Sequence, residues 1–133
     1  MIFDKIRKKN IILQSEEKVR QWLINYFIEE LEYPRSLFSI EKKIVNSFTK
    51  KYRSDILIYD KEIHPFILIE CKSQQVNITE ETLKQLLNYN KFIEAKYIII
   101  SNKLKTYCWG FDKVKNKYFT ANIPKYCEIK NLL

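Results

Sequence analysis

The chain has one histidine, one glycine and three cysteines in 133 residues. His64 stands alone, and Cys71, Cys108 and Cys127 form no CxxC pair, so a zinc site is not expected. The odd cysteine count and the lack of an export signal argue against a disulfide framework. Reduced, mostly buried thiols are the expectation. No GxxxxGK[ST] phosphate loop is present, so no ATPase motor is expected in this chain. No apolar run approaches the length of a membrane span. The first ten residues carry Asp4, Lys5, Arg7, Lys8 and Lys9, and the three apolar residues that follow, Ile11, Ile12 and Leu13, are too few for a signal-peptide core. A soluble, cytoplasmic protein with no membrane partner is expected. Repeats, low-complexity stretches and Gly/Ser linkers are also missing, and the length suits one core, so residues 1–133 read as a single domain.

What is present points to a folded, cationic protein. Hydrophobic residues make up 46% and aromatics 14%, too much for a disordered chain. The formal net charge is +8, a balance that attracts polyanions such as nucleic acid. Basic residues cluster at Lys5 to Lys9, at Lys42 and Lys43, and at Lys50 to Arg53.

Periodicity orders the elements. Val19, Trp22, Leu23, Tyr26, Phe27 and Leu31 recur at steps of three and four, which predicts an amphipathic helix from Ser15 to about Leu31. Ser15 would cap it, Glu16 and Glu17 suit its positive end, and Tyr33-Pro34 would end it. Strands are expected over 37–45, 55–59 and 66–72, with a polar turn over 46–51 and a tight connection over 60–64 that makes the last two a hairpin. A second helix is expected over 79–93, capped by Thr79, with Ile78 packing back on Leu83. The nearly continuous apolar run over 96–101 suits a strand covered on both faces. Two weaker strands, 106–111 and 117–121, follow. The fold class is α/β, a mixed β-sheet flanked by helices, in the order α-β-β-β-α-β with a short β tail.

The chemistry concentrates in Arg53-Ser-Asp-Ile-Leu-Ile-Tyr59 and Phe66-Ile-Leu-Ile-Glu-Cys-Lys72. With a period of two, Glu70 and Lys72 share one side of a strand while Ile67, Ile69 and Cys71 take the other. Asp55 begins the neighbouring strand and can fall beside Glu70. Two carboxylates meeting there would form a hard oxygen site suited to Mg²⁺ or Mn²⁺. Lys72 would orient a water or stabilise charge developing on a phosphate. The competing interpretation is a cross-strand salt bridge among Asp55, Glu70 and Lys72 on a solvated face.

An ordered set of short motifs carries a family resemblance: Ser15-Glu-Glu-Lys-Val-Arg-Gln21, Glu32-Tyr-Pro34, Ile40-Glu-Lys-Lys-Ile44, Arg53-Ser-Asp55, Ile69-Glu-Cys-Lys72, Gln85-Leu-Leu-Asn-Tyr89 and Ser101-Asn102. The sequence resembles the PD-(D/E)xK nuclease superfamily, and within it the N-terminal nuclease domain of type I restriction enzyme R subunits. The resemblance implies a restriction-endonuclease-like sheet and metal-dependent hydrolysis of DNA. It implies Asp55 and Glu70 as metal ligands and Lys72 as the catalytic lysine. Gln85 and Tyr89 match the family's Q-x-x-x-Y motif and would line the site from one helix face; surface exposure of Gln85 and ordinary packing of Tyr89 are the competing roles. A first-helix acid often completes such a site. Glu16, three before Val19 and seven before Leu23, is favoured over the more sideways Glu17, and Glu41 is a further candidate.

Two positions depart from the family pattern. Ser54 replaces the proline before the aspartate, and Lys103 stands where glycine often follows the asparagine. Translocation and sequence recognition would come from other restriction-system subunits. The alternative function is a nucleic-acid-binding or assembly module that keeps the fold without effective catalysis.

Overall fold

The computed structural model describes residues 2–11, 15–44 and 52–129. In chain order the elements are β1 (Ile2–Asp4), β2 (Lys9–Ile11), α1 (Ser15–Asn25), β3 (Phe38–Ile44), β4 (Tyr52–Tyr59), β5 (Pro65–Cys71), α2 (Glu80–Ile93), β6 (Tyr97–Ser101), β7 (Thr106–Asp112), β8 (Lys117–Thr120) and α3 (Tyr126–Ile129). Six strands form one mixed sheet in the order β3-β4-β5-β6-β7-β8, and β1 pairs with β2 in a separate hairpin. Among the described strands only β5 and β6 run parallel, because α2 is the crossover between them and a parallel pair needs such a connection.

Alternation along the strands sorts the core into two layers. Ile56, Ile58, Ile67, Ile69, Cys71 and Ile99 pack with Val19, Leu23, Ile24 and Phe27 on the α1 side. Leu57, Leu68, Ile98 and Ile100 pack with Leu86 of α2 on the other side. β6 is therefore covered on both faces, as its apolar run required.

The first helix begins at Ser15 and widens in its last turn, where Tyr26–Glu30 are π-helical and the Leu31 amide donates to the Tyr26 carbonyl at 3.1 Å. It stops before Tyr33-Pro34, because Glu32 adopts a left-handed φ of 62°. Tyr33 is instead a core residue, and its hydroxyl donates to the Pro124 carbonyl at 2.8 Å. Thr79 caps α2 as expected, accepting from the Thr82 amide at 3.3 Å. The turn expected over 46–51 lies outside the described residues.

The β1–β2 hairpin and α3 were not anticipated. Their segments are three or four residues long and carry no usable period. The single glycine, Gly110 on β7, sits beneath the Phe119 ring of β8. A Cβ there would stand 2.4 Å from the ring's Cζ, so only glycine lets the ring lie flat on the strand.

Candidate active site

Asp55 is the hub. It lies on β4 one step beyond the Ile56↔Ile69 pair, so the antiparallel register continues to Glu70 of β5. Between the pairs Ile40↔Ile56 and Lys42↔Ser54, position 41 of β3 falls opposite Asp55 on its other side. The Glu41 side chain lies outside the described residues.

Asp55 is only 6% exposed, and a carboxylate so placed needs partners. Its Oδ1 accepts from Arg20 Nη2 at 2.9 Å and its Oδ2 from the Cys71 backbone amide at 2.7 Å. Burial pulls the Arg20 pKa down, but the hydrogen bond to Asp55 and the charges of Asp55 and Glu17 more than offset this, so the guanidinium stays charged.

Glu16 stands beside this pair. Its side chain is 51% exposed and reaches Arg20 Nη2 at 3.6 Å. Its carboxyl pKa is raised, first by desolvation and next by the Asp55 carboxylate, with which it can share a proton. Arg20 and Lys72 pull the other way. Glu70 and Lys72 complete the group: Lys72 Nζ lies 3.8 Å from Glu70 Oε1, with a third of its side chain exposed. Glu16 thus stands beside Asp55, and Glu70 stands beside Lys72. The salt bridge considered as the competing interpretation is present in part, as Glu70–Lys72, while Asp55 pairs with an arginine.

Gln85 and Tyr89 sit one turn apart on α2, Gln85 exposed and Tyr89 half-buried. Asp55, Glu70 and Glu16 offer hard oxygen donors. Among the described residues no group of three His, Cys, Asp or Glu side chains is close enough to hold an ion by itself.

Sequence reasoning missed Arg20 and what lies behind it. Arg20 Nη1 donates to Glu17 Oε1 at 2.8 Å, and Arg7 Nη2 reaches the same oxygen at 2.7 Å. Arg7 Nε donates to Asp4 Oδ2 at 2.6 Å, and Gln21 Nε2 donates to it at 2.8 Å. Asp4 is fully buried. Desolvation works against its charge, but hydrogen bonds from Arg7, Gln21 and the Ile6 amide hold its pKa below the ordinary value. One signal for Arg20 was available: a charged residue adjoining Val19 on a helix whose face is otherwise apolar, spaced three and four from two glutamates.

Two of the bases in the Lys5–Lys9 cluster are paired within the chain, whereas Lys8 is exposed. Lys5 pairs with Glu29, and Arg7 pairs with Asp4 and Glu17. The other two clusters include side chains outside the described residues. A basic cleft of about 1640 Å³ lies instead beside α2 and the β7–β8 hairpin. It is lined by Lys84, Lys91, Lys96, Lys113 and Lys117, with Asp60, Glu94 and Asp112 also on its walls. Of the thiols, Cys71 and Cys108 are buried and Cys127 is exposed.

The segment after Lys72 is tied down by Ser101-Asn102. The Lys72 amide donates to the Ser101 carbonyl at 2.9 Å, Asn102 Nδ2 donates to the Val76 carbonyl at 2.9 Å, and Asn102 Oδ1 accepts from the Lys105 amide at 2.8 Å. The next residue, Lys103, has φ 76°, the left-handed conformation that glycine takes without strain.

Residues 15–124, which contain Glu16, Arg20, Asp55, Glu70, Lys72, Gln85 and Tyr89 but not Asp4 or Arg7, match the family model described as type I restriction enzyme R protein N terminus (HSDR_N). The chain belongs to this family. Comparison with curated protein sequences gives no match. Among solved structures, the R-protein N-terminal fold recurs in a fragment of an HsdR subunit of a type I restriction enzyme from Vibrio vulnificus YJ016. The TM-score is 0.61 at 15% identity, over 92% of this chain. This chain spans about a quarter of that one, 25% of its length. Among the described residues no helix is long and apolar enough to cross a membrane.

Proposed function

We propose that this R-protein N-terminal domain is a PD-(D/E)xK nuclease that hydrolyses DNA phosphodiester bonds with a divalent ion, Mg²⁺ or Mn²⁺, as part of a type I restriction system. The reading is supported by the Glu16 carboxyl beside Asp55, by the strand register that continues from Ile56↔Ile69 toward Glu70, and by the Lys72 ammonium 3.8 Å from Glu70. Burial first, and the neighbouring Asp55 carboxylate second, raise the Glu16 pKa. A cation placed between the two carboxylates relieves that cost.

The donor set fits a hard cation that keeps part of its water shell, as Mg²⁺ does. Asp55 and Glu70 would hold it, with Glu16 as a third ligand. Asp55 Oδ1 accepts from Arg20 and Oδ2 from the Cys71 amide, and a carboxylate oxygen has two lone pairs. Bound there, the ion would supply Lewis acidity, lowering the pKa of a water and neutralising charge on the phosphate.

The chain's own residues do the rest. Arg20 and the Cys71 amide fix the Asp55 carboxylate in one orientation. Lys72, braced by Glu70, presents its ammonium to the phosphate or to the attacking water, where a fixed cation stabilises developing charge. Water attacks phosphorus and gives up a proton to solvent, the bond to the leaving sugar oxygen breaks, and that oxygen takes up a proton from solvent. Gln85 and Tyr89 would contact DNA or position Lys72. The lysines of the basic cleft would add sequence-independent attraction.

One observation favours a second reading, a DNA-binding or assembly module without effective catalysis: both Asp55 oxygens already have protein partners. Plasmid nicking with Mg²⁺ or Mn²⁺, comparing the unmodified protein with Asp55→Ala and Lys72→Ala, separates the two. The nuclease reading requires metal-dependent nicking that both substitutions abolish. Salt-sensitive binding without cleavage supports the second reading.

A further inference from the structure

We infer that Asp4, Arg7, Glu17 and Arg20 form a charge relay through which the N-terminal hairpin sets the position of the Asp55 carboxylate, with Glu17 and Arg20 as positioning residues. The inference rests on the proposed function only where it predicts activity; the relay itself is a matter of geometry.

The links are continuous and alternate in sign. Arg7 Nε donates to the buried Asp4 Oδ2 at 2.6 Å, Arg7 Nη2 donates to Glu17 Oε1 at 2.7 Å, Arg20 Nη1 donates to the same oxygen at 2.8 Å, and Arg20 Nη2 donates to Asp55 Oδ1 at 2.9 Å. Each arginine bridges two carboxylates with different nitrogens of one planar group, which a lysine ammonium cannot reproduce at fixed geometry. The hairpin end is anchored separately. Asp4 Oδ1 accepts from the Ile6 and Arg7 amides, both at 2.8 Å, and Asp4 Oδ2 accepts from Gln21 on α1. Moving the hairpin therefore moves Arg7 and Glu17 and, through Arg20, the carboxylate at the centre of the candidate site. Glu17 is only 12% exposed on its side chain and is held between two guanidiniums, whereas Glu16 is half-exposed beside Asp55. The two adjacent glutamates thus divide their work, Glu17 as a brace and Glu16 as a ligand candidate.

The Cys71 amide, hydrogen-bonded to Asp55 Oδ2 at 2.7 Å, reports the carboxylate position without any need for activity. The test records the Cys71 amide resonance by NMR in the unmodified protein and in Arg7→Gln and Glu17→Gln, together with thermal unfolding and plasmid-cleavage kinetics. The relay predicts folded variants in which the Cys71 resonance moves. It also predicts kcat lower by about ten- to a hundredfold with KM for DNA unchanged, the signature of a misplaced catalytic group. A brace of the fold alone lowers the melting temperature while leaving the Cys71 resonance and kcat of the folded protein as they were, and that result overturns the inference. In the unmodified protein the Arg20 guanidinium must show separate, slowly rotating Nη signals. A single averaged signal overturns the inference even if both variants unfold. If the unmodified protein cleaves nothing but the Cys71 resonance moves in the variants, the relay stands and the hydrolytic reading falls.

Discussion

Arg20 and Asp55, 35 residues apart, are joined at 2.9 Å with both side chains under a tenth exposed. The pair fixes α1 against β4 at the end of the sheet where Glu70 and Lys72 also stand. Removing one partner of a buried ion pair leaves the other charge uncompensated. Arg20→Met, which keeps the aliphatic stem, is expected to lower stability at neutral pH by about 3–5 kcal/mol. Urea unfolding measures this, and a change below about 1 kcal/mol, the worth of an exposed pair, would mean that the bridge is solvated.

Glu16 gives a pH dependence of defined sign. Its carboxyl pKa is raised above 4.5, by burial first and by Asp55 second. The folded chain therefore binds this proton more tightly than the unfolded chain. Glu16 then lowers stability as pH rises from the unfolded value through the folded one, and the deficit persists above that window. Glu16→Gln removes the effect. Without divalent ions, its unfolding midpoint relative to the unmodified protein should rise between pH 4 and pH 7. The lost ion pair with Arg20, at 3.6 Å on a half-exposed side chain, is too weak to reverse that trend. A relative midpoint that falls with pH contradicts the placement of Glu16 beside Asp55.

Asn102 serves the fold and, through it, the site. Its side chain joins the Val76 carbonyl to the Lys105 amide, pinning the turn after Lys72 to the β6–β7 connection. Asn102→Ala leaves these groups short of partners and should cost about 1–3 kcal/mol. Hydrogen exchange should show the loss concentrated at 73–79 and 102–105. Uniform destabilisation would argue against a local pin.

The three thiols should separate by reactivity. Burial raises the Cys71 thiol well above its ordinary pKa, with the Asp55 carboxylate adding to the effect, and burial pushes Cys108 up to about 11. Cys127 is exposed. Labelling of the folded protein at neutral pH should modify Cys127 quickly and the other two only on unfolding, because the thiolate is the reactive form. Fast labelling of Cys71 would mean that the Asp55 neighbourhood opens readily.

The parts of this fold with long, regular periods could be read from the residues alone. The 3.6-residue spacing of Val19, Leu23 and Phe27 placed the first helix, the Thr79 cap with Ile78 and Leu83 placed the second, and the period of two in a strand put Glu70 and Lys72 on one side. The hairpin over 2–11 was hidden because its stability comes from Asp4, Arg7, Gln21 and Glu17, contacts between segments that have no local period. For the same reason the basic run from Lys5 to Lys9 read as a polyanion surface, although Lys5 and Arg7 are internally paired. Glu17 read as sideways-pointing because the apolar stripe defines only the face toward the core, whereas Glu17 faces the hairpin. The reduced-thiol expectation fits Cys71 and Cys108 by burial. Cys127 lies in the short α3, where four residues give no pattern to read.

Asp55 and Glu70 are proposed to share one cation. Crystals grown with Mn²⁺ and measured at its absorption edge test this directly. A shared ion gives an anomalous peak with oxygens of both Asp55 and Glu70 at about 2.0–2.6 Å, present in the unmodified protein and lost in Asp55→Ala. An empty position there at saturating Mn²⁺, with Arg20 still bonded to Asp55 and Lys72 to Glu70, would contradict it.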